Sequence, residues 1–136
     1  MDPSQELIQE KVRAEALRQG VPPELALAMT EVESNFKNIK AKRGESYGPL
    51  QVHVSSGYTA AQLWGDMDLS IRVGVGIIKQ RLQKAGGDSL LSRILYFCGP
   101  GYLIPGQKGC SEVAVDRLKT RWGPVAAKWG VQAHYA

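Results

Sequence analysis

Apolar residues recur at four-residue spacing through Ile8, Val12 and Ala16, in a segment that opens with Asp2, Pro3 and Gln5 and stops at Gly20. An aspartate cap, a first-turn proline and a glutamine three residues in are marks of a helix N-terminus, and glycine closes one. The pattern predicts a helix from about Pro3 to Gln19. Pro22 and Pro23 start a second, through about Ser34. From Asn35 to Gly57 the helical period is lost and Gly44, Gly48 and Pro49 appear, so this stretch is expected as a surface loop with room for short strands. Helical spacing returns in a short piece at Thr59 to Trp64 and a longer one from about Leu69 to Lys84, ended by Gly86 and Gly87. Asp88 or Ser89 caps the next helix, to Cys98. Its Leu90, Leu91, Ile94, Leu95, Phe97 and Cys98 are apolar on most sides, as in a central buried helix. Gly99 to Gly106 break it. Ser111 opens a helix carrying Val113, Val115, Leu118 and Trp122, and Pro124 is expected to separate a short final one. No repeat, low-complexity tract or long alternation appears. The fold class expected is all-α, or mainly α with a short β or loop excursion.

Composition narrows this further. A chain of 136 residues with 43% apolar content suits one domain, residues 1 to 136, and buries a core without metals or staples. No apolar run approaches the roughly 18 residues of a membrane span, and the first ten residues lack the charged start and apolar stretch of a secretory signal. Seventeen basic against thirteen acidic residues give a formal charge of +4. That mild excess favours polyanions, but it is scattered and no nucleic-acid motif accompanies it, so nucleic acid is not expected as a partner. Cys98 and Cys110 belong to no C-x-x-C pair. One disulfide, in a protein working outside the cytoplasm, and two buried thiols both remain open. His53 and His134 are isolated and are assigned surface or packing roles, so no metal site is expected.

One carboxylate stands out. At about 100° per residue, Leu25, Ala28, Met29 and Val32 share an arc of the second helix. Glu33 falls inside that arc, whereas Glu31 points toward solvent. A carboxyl group at such an edge is poorly solvated, which favours the protonated form that a proton donor needs. Glycosidic cleavage uses such a donor, because the leaving oxygen departs badly as an alkoxide. The same position also suits a carboxylate that caps or salt-bridges a neighbouring element.

Four motifs in order bear on that choice: Glu33-Ser34-Asn35-Phe36; Ser46-Tyr47-Gly48-Pro49-Leu50-Gln51-Val52; Asp66 through Ser70-Ile71 to Gly74; and Leu95-Tyr96-Phe97-Cys98-Gly99-Pro100-Gly101. Together they resemble the lytic transglycosylases, a family related to goose-type lysozyme. The family places a catalytic Glu before Ser at a helix end, then a G-L-M-Q-V loop, a D-P-x-x-N-I-x-x-G helix start and A-Y-N-A-G-P-G. The match covers roughly Val21 to Gly101. Pro49 and Leu50 stand where the family has Leu and Met, Phe97 where it has Asn, and Lys42 where many members have Ser.

The resemblance implies a lysozyme-like domain built around the Ser89 to Cys98 helix. Glu33 would act as general acid and then base, with Gln51 in the sugar groove and Tyr96 near the reaction centre. Tyr47 and Gly48 are further substrate-side residues. Ser34 is placed beside the substrate by the motif, although buttressing the helix end suits it better than reacting. Gln51 can alternatively satisfy loop backbone, and Tyr96 can be an amphipathic core residue. Most glycosidases use two carboxylates; here Glu45 and Asp66 are the possible partners of Glu33. The resemblance implies a one-carboxylate route to a 1,6-anhydromuramic product, without cofactor or metal. A hydrolytic lysozyme of the same fold and a catalytically silent wall-binding module are the alternatives. The expected partner is the peptidoglycan glycan strand, met by a monomer in the periplasm, outside the cell or from a phage particle. Lacking a signal, the chain fits a phage lysis or virion protein best, ahead of a trimmed mature form or an excised domain.

Overall fold

A computed structural model describes residues 1–42, 44–107 and 109–136. Among the described residues it is mainly helical, with one small antiparallel pair of strands. Helix α1, Pro3–Gln19, carries the expected cap: the Asp2 side chain accepts from the Gln5 backbone while the Gln5 side chain accepts from the Asp2 backbone. The Gln5 amide also donates to the Asn35 carbonyl at 2.9 Å, which ties α1 to the end of α2, Pro23–Ser34.

Helix α2 is the buried one. Leu25 through Thr30 are all inaccessible or nearly so; each large side chain among them contributes about 2 kcal/mol by leaving water. The main core gathers around it, from Ile8, Val12 and Ala16 of α1 to Trp122 of α6, Glu112–Trp129. Burial had been expected instead for α5, Ser89–Cys98. The helix has the expected bounds and buries Leu95 and Ile94, the latter against Val115 and Leu118 of α6 in a smaller cluster, but it leaves Phe97 exposed. Apolar content ranked α5 first; the elements that flank each helix decided the outcome, since α2 lies between α1 and α6.

The loop after α2 contains β1, Ser46–Tyr47, paired with β2, Val52–His53, and leads into the short α3, Ala60–Gly65. It is clamped onto α4, Met67–Lys84, at two glycines. A Cβ on Gly48, whose φ is +84°, would meet the Ser70 hydroxyl oxygen at 2.4 Å, and one on Gly74 would meet Leu50 at 2.7 Å. Only residues without side chains let this loop lie so close to α4. Leu50 is fully buried as a result, which fixes its neighbour Gln51. Helix α4 starts two residues before its expected start, because Asp66 accepts from the Leu69 backbone and so brings Met67 and Asp68 into the first turn.

Helix α6 runs unbroken from Glu112 to Trp129 with Pro124 inside it. The expected separate final helix is therefore absent. Proline at an interior position costs about 3 kcal/mol, but Trp122 before it and Val125, Ala126 and Trp129 after it all pack on the main core. Packing on both sides overrides the local preference. Cys98 and Cys110 form a disulfide that joins the end of α5 to the residues before α6.

Candidate active site

Where α2 ends, Asn35 and Phe36 both adopt left-handed backbone, φ +53° and +59°. For an aromatic residue that conformation is costly; Phe36 is held there by burial and by an edge-on contact with Trp129, ring centroids 5.8 Å apart. The sharp exit leaves Glu33, in the last turn of α2, facing a groove of about 1130 Å³. Helix α4 forms one wall, through Arg72, Gly76 and Gln80 at four-residue spacing; the end of α1, the loop after α2 and the end of α5 form the others.

Three of the expected site residues, Glu33, Gln51 and Tyr96, line this groove together. Gln51 is itself in left-handed backbone, φ +51°, and strained non-glycine residues of this kind concentrate at functional sites. Its amide nitrogen is spent on the carbonyls of Gly48 and Ile39, at 2.9 and 3.0 Å, so its role in satisfying the loop is real and its carbonyl oxygen is the part left for a ligand. The Tyr96 hydroxyl donates to the Leu50 carbonyl at 2.5 Å. Burial, reinforced by the Glu33 carboxylate, holds that phenol far above its ordinary value, so it stays neutral and works as a donor rather than a base.

Ser34, Tyr47 and Gly48 do not line the groove. The Ser34 hydroxyl donates to the Thr30 carbonyl and accepts from the Lys37 backbone, so it buttresses the helix end. Tyr47 is buried in the small cluster with Val52 and Leu63, its hydroxyl bonded to the Gly44 carbonyl. Gly48 is pressed on Ser70. These residues shape the loop from behind. Neither candidate second carboxylate reaches the groove: Glu45 is exposed and 3.7 Å from the His53 ring, and Asp66 caps α4. Glu33 is thus the only carboxylate among the described groove-lining residues. Lys42 is exposed outside the groove, whereas Phe97 stands on its rim. His53 also lines the groove, its ring nitrogen accepting from the Ser55 backbone, and His134 lies in an isolated bridge with Asp88. Among the described residues no three His, Cys, Asp or Glu side chains converge as a metal site requires, and no helix is long and apolar enough to cross a membrane.

The surroundings of Glu33 differ from the apolar setting anticipated from the helical wheel. Arg93 of α5 places a guanidinium nitrogen 2.5 Å from the carboxylate, with the two side chains only 7% and 12% exposed. The same nitrogen lies 3.5 Å from the Met29 sulfur, and the guanidinium is 5.7 Å from the Phe97 ring centre. Of the two possibilities left open for Glu33, a salt bridge to a neighbouring element is present, and it is present at the groove. Arg93 is sixty residues away in sequence and was not anticipated; its signal is that it is the one charged residue in α5, SLLSRILYFC, since a charge on a packed helix needs a partner. Glu31 also departs from expectation. It is covered by α6, accepting from Lys128 at 2.8 Å and from the Trp129 indole at 3.1 Å.

Compared with models of protein families, with curated proteins and with solved structures, the chain matches none.

Proposed function

We propose that the protein is a lytic transglycosylase of bacterial peptidoglycan, cleaving the β-1,4 bond between N-acetylmuramic acid and N-acetylglucosamine with Glu33 as sole acid and base. The observation that carries this reading is the convergence of Glu33, Gln51 and Tyr96, three residues the motifs single out, on one groove whose described lining holds no other carboxylate. Glu33 gives its proton to the glycosidic oxygen as the bond to the muramic C1 breaks, and the acetamido oxygen of the same sugar closes on C1. The Glu33 carboxylate then takes the proton of the 6-hydroxyl, whose oxygen displaces the acetamido group and leaves a 1,6-anhydro end. No water, metal or second carboxylate enters. The acid step requires that Arg93 give up its bond to Glu33 as sugar arrives, keeping its contacts with the Met29 sulfur and the Phe97 ring. The substrate lies in the periplasm, outside the cell, or ahead of a phage particle.

The Glu33–Arg93 pair itself favours a second reading, a wall-binding module without catalysis in which the pair only joins α2 to α5. Mass spectrometry of material released from purified peptidoglycan decides between them. Anhydromuramic ends are expected; reducing ends would make the protein a hydrolase, and no release with retained wall binding would leave the binding module.

A further inference from the structure

The geometry points to a carboxylate-recognition subsite built on Arg81, which pairs with an acidic substituent of a sugar held in the groove; this rests on reading the groove as a glycan site.

Three guanidinium groups line the groove, those of Arg18, Arg72 and Arg81, and Arg72 is exposed to solvent. Arg18 holds Glu15 at 2.5 Å, and Arg93, behind the wall, holds Glu33. Arg81 has no ion pair with any described residue. It is half-buried on α4, and its Nε is sealed from solvent without a hydrogen-bond partner among the described residues. The other described side-chain atom in that condition is the Ser56 hydroxyl oxygen, and Ser56 lines the same groove. Among the described residues the other buried side-chain nitrogens and oxygens have partners, so the exceptions are concentrated where a ligand would lie, and such exceptions call for a functional explanation. Tyr96, the phenol that feels both Glu33 and Arg81, has already given its hydrogen to Leu50 and supplies no negative charge.

Charge decides the ligand class. Arg72 is solvated, so Arg81 is the half-buried groove-lining guanidinium left without an ion pair among the described residues. Sugar hydroxyls satisfy N–H groups but not that charge. A carboxylate does both, in the forked geometry a guanidinium offers, and part of the desolvation of Arg81 is complete before the ligand arrives. In peptidoglycan the carboxylate is either the lactyl group of a muramic acid that carries no peptide or, where the lactyl carboxyl is tied up as an amide, an acid of the attached peptide.

The test is an NMR titration of the full chain with N-acetylmuramic acid and with N-acetylglucosamine, which differ by the lactyl ether. The wild type is expected to prefer the acidic sugar by about ten-fold, the worth of one charge-assisted hydrogen bond. Arg81→Met, checked by its melting curve, should erase that preference and leave N-acetylglucosamine binding in place, while Arg81→Lys should restore part of it. N-acetylmuramoyl-alanine, whose carboxylate lies one residue further out, separates the sources: retained preference assigns the peptide acid and lost preference the lactyl group. Wild-type binding of neither N-acetylmuramic acid nor N-acetylmuramoyl-alanine above N-acetylglucosamine, or a preference that survives Arg81→Met, overturns the subsite. So does Arg81-dependent binding of inorganic phosphate with no preference between the sugars. Product release from peptidoglycan is scored separately. Release without the preference removes the subsite alone, and the preference without release removes the cleavage reading alone.

Discussion

The two flanks of α2 carry the same chemistry in different surroundings. Toward α6, Glu31 meets Lys128, whose side chain is 62% exposed; toward α5, Glu33 meets Arg93, which is almost wholly enclosed. A wet pair of the first kind contributes about 0 to 1 kcal/mol. In the second kind neither charge is easily rehydrated, so removing one partner strands the other at a cost of about 3 to 5 kcal/mol. An ion pair alone therefore does not mark a site. The two carboxylates are nearly equally covered, at 12% and 17% exposed; what separates Glu33 from Glu31 is an enclosed cation on one side and an open groove on the other.

The comparison breaks most visibly in activity. Glu33→Gln is expected to lower product release from peptidoglycan by about a hundred-fold or more, because an amide keeps the shape but cannot serve as acid and base; Glu31→Gln should leave release nearly unchanged. Comparable losses in the two variants, measured by chromatography of released fragments, would end the distinction between the flanks.

Next in size is stability. Arg93→Met should destabilise the protein by about 3 kcal/mol in urea unfolding, since Glu33 is left enclosed without a counter-charge. Combining it with Glu33→Gln should recover most of that loss. Additive losses would show that the two side chains do not depend on each other.

Tyr96→Phe tests the groove side more gently, with a loss of about 1 kcal/mol at neutral pH from the bond to Leu50. Its pH dependence has a definite sign. Burial raises the Tyr96 phenol, so above the ordinary value of about 10 the unfolded chain releases a proton that the folded protein keeps, and the wild type loses stability as pH climbs. Phenylalanine carries no such proton. The gap between wild type and variant should narrow from about pH 8 to about pH 11; a widening gap would contradict the enclosed phenol. The smallest effect is reserved for the wet flank, where Lys128→Ala should change stability by about 0.5 kcal/mol or less.

Much of this architecture is legible in the chain itself. The α1 bounds and cap, the α5 bounds and the loop between α2 and α3 follow from spacing, glycine and proline, because those signals act over a few residues. Tertiary packing hid the rest. Pro124 looks like a helix stop until Trp122 and Trp129 are seen seated on the core, and α5 looks more buried than α2 until α1 and α6 are placed. At the site, Glu33, Gln51 and Tyr96 are marked by motif, and they do share a groove. Arg93 and Arg81 belong to no motif, and their importance appears only once α4 and α5 are folded against the end of α2. The pairing of Cys98 with Cys110 was likewise one of two open possibilities, since composition does not state which compartment a thiol meets.

That disulfide carries a consequence for durability. Cys98, Gly99 and Pro100 form part of the groove rim, and the bond anchors this rim to the segment leading into α6. Closing a loop of this size stabilises a fold by about 3 kcal/mol in the chain-entropy view. The three exposed apolar residues within it, Tyr102, Leu103 and Ile104, are the kind a protease reaches first, yet a single backbone cut among them leaves both ends attached. Both cysteines pack on the small cluster of Ile94, Val115 and Leu118 and not on the main core, so a thiol reductant is expected to loosen the rim before the packing around α2.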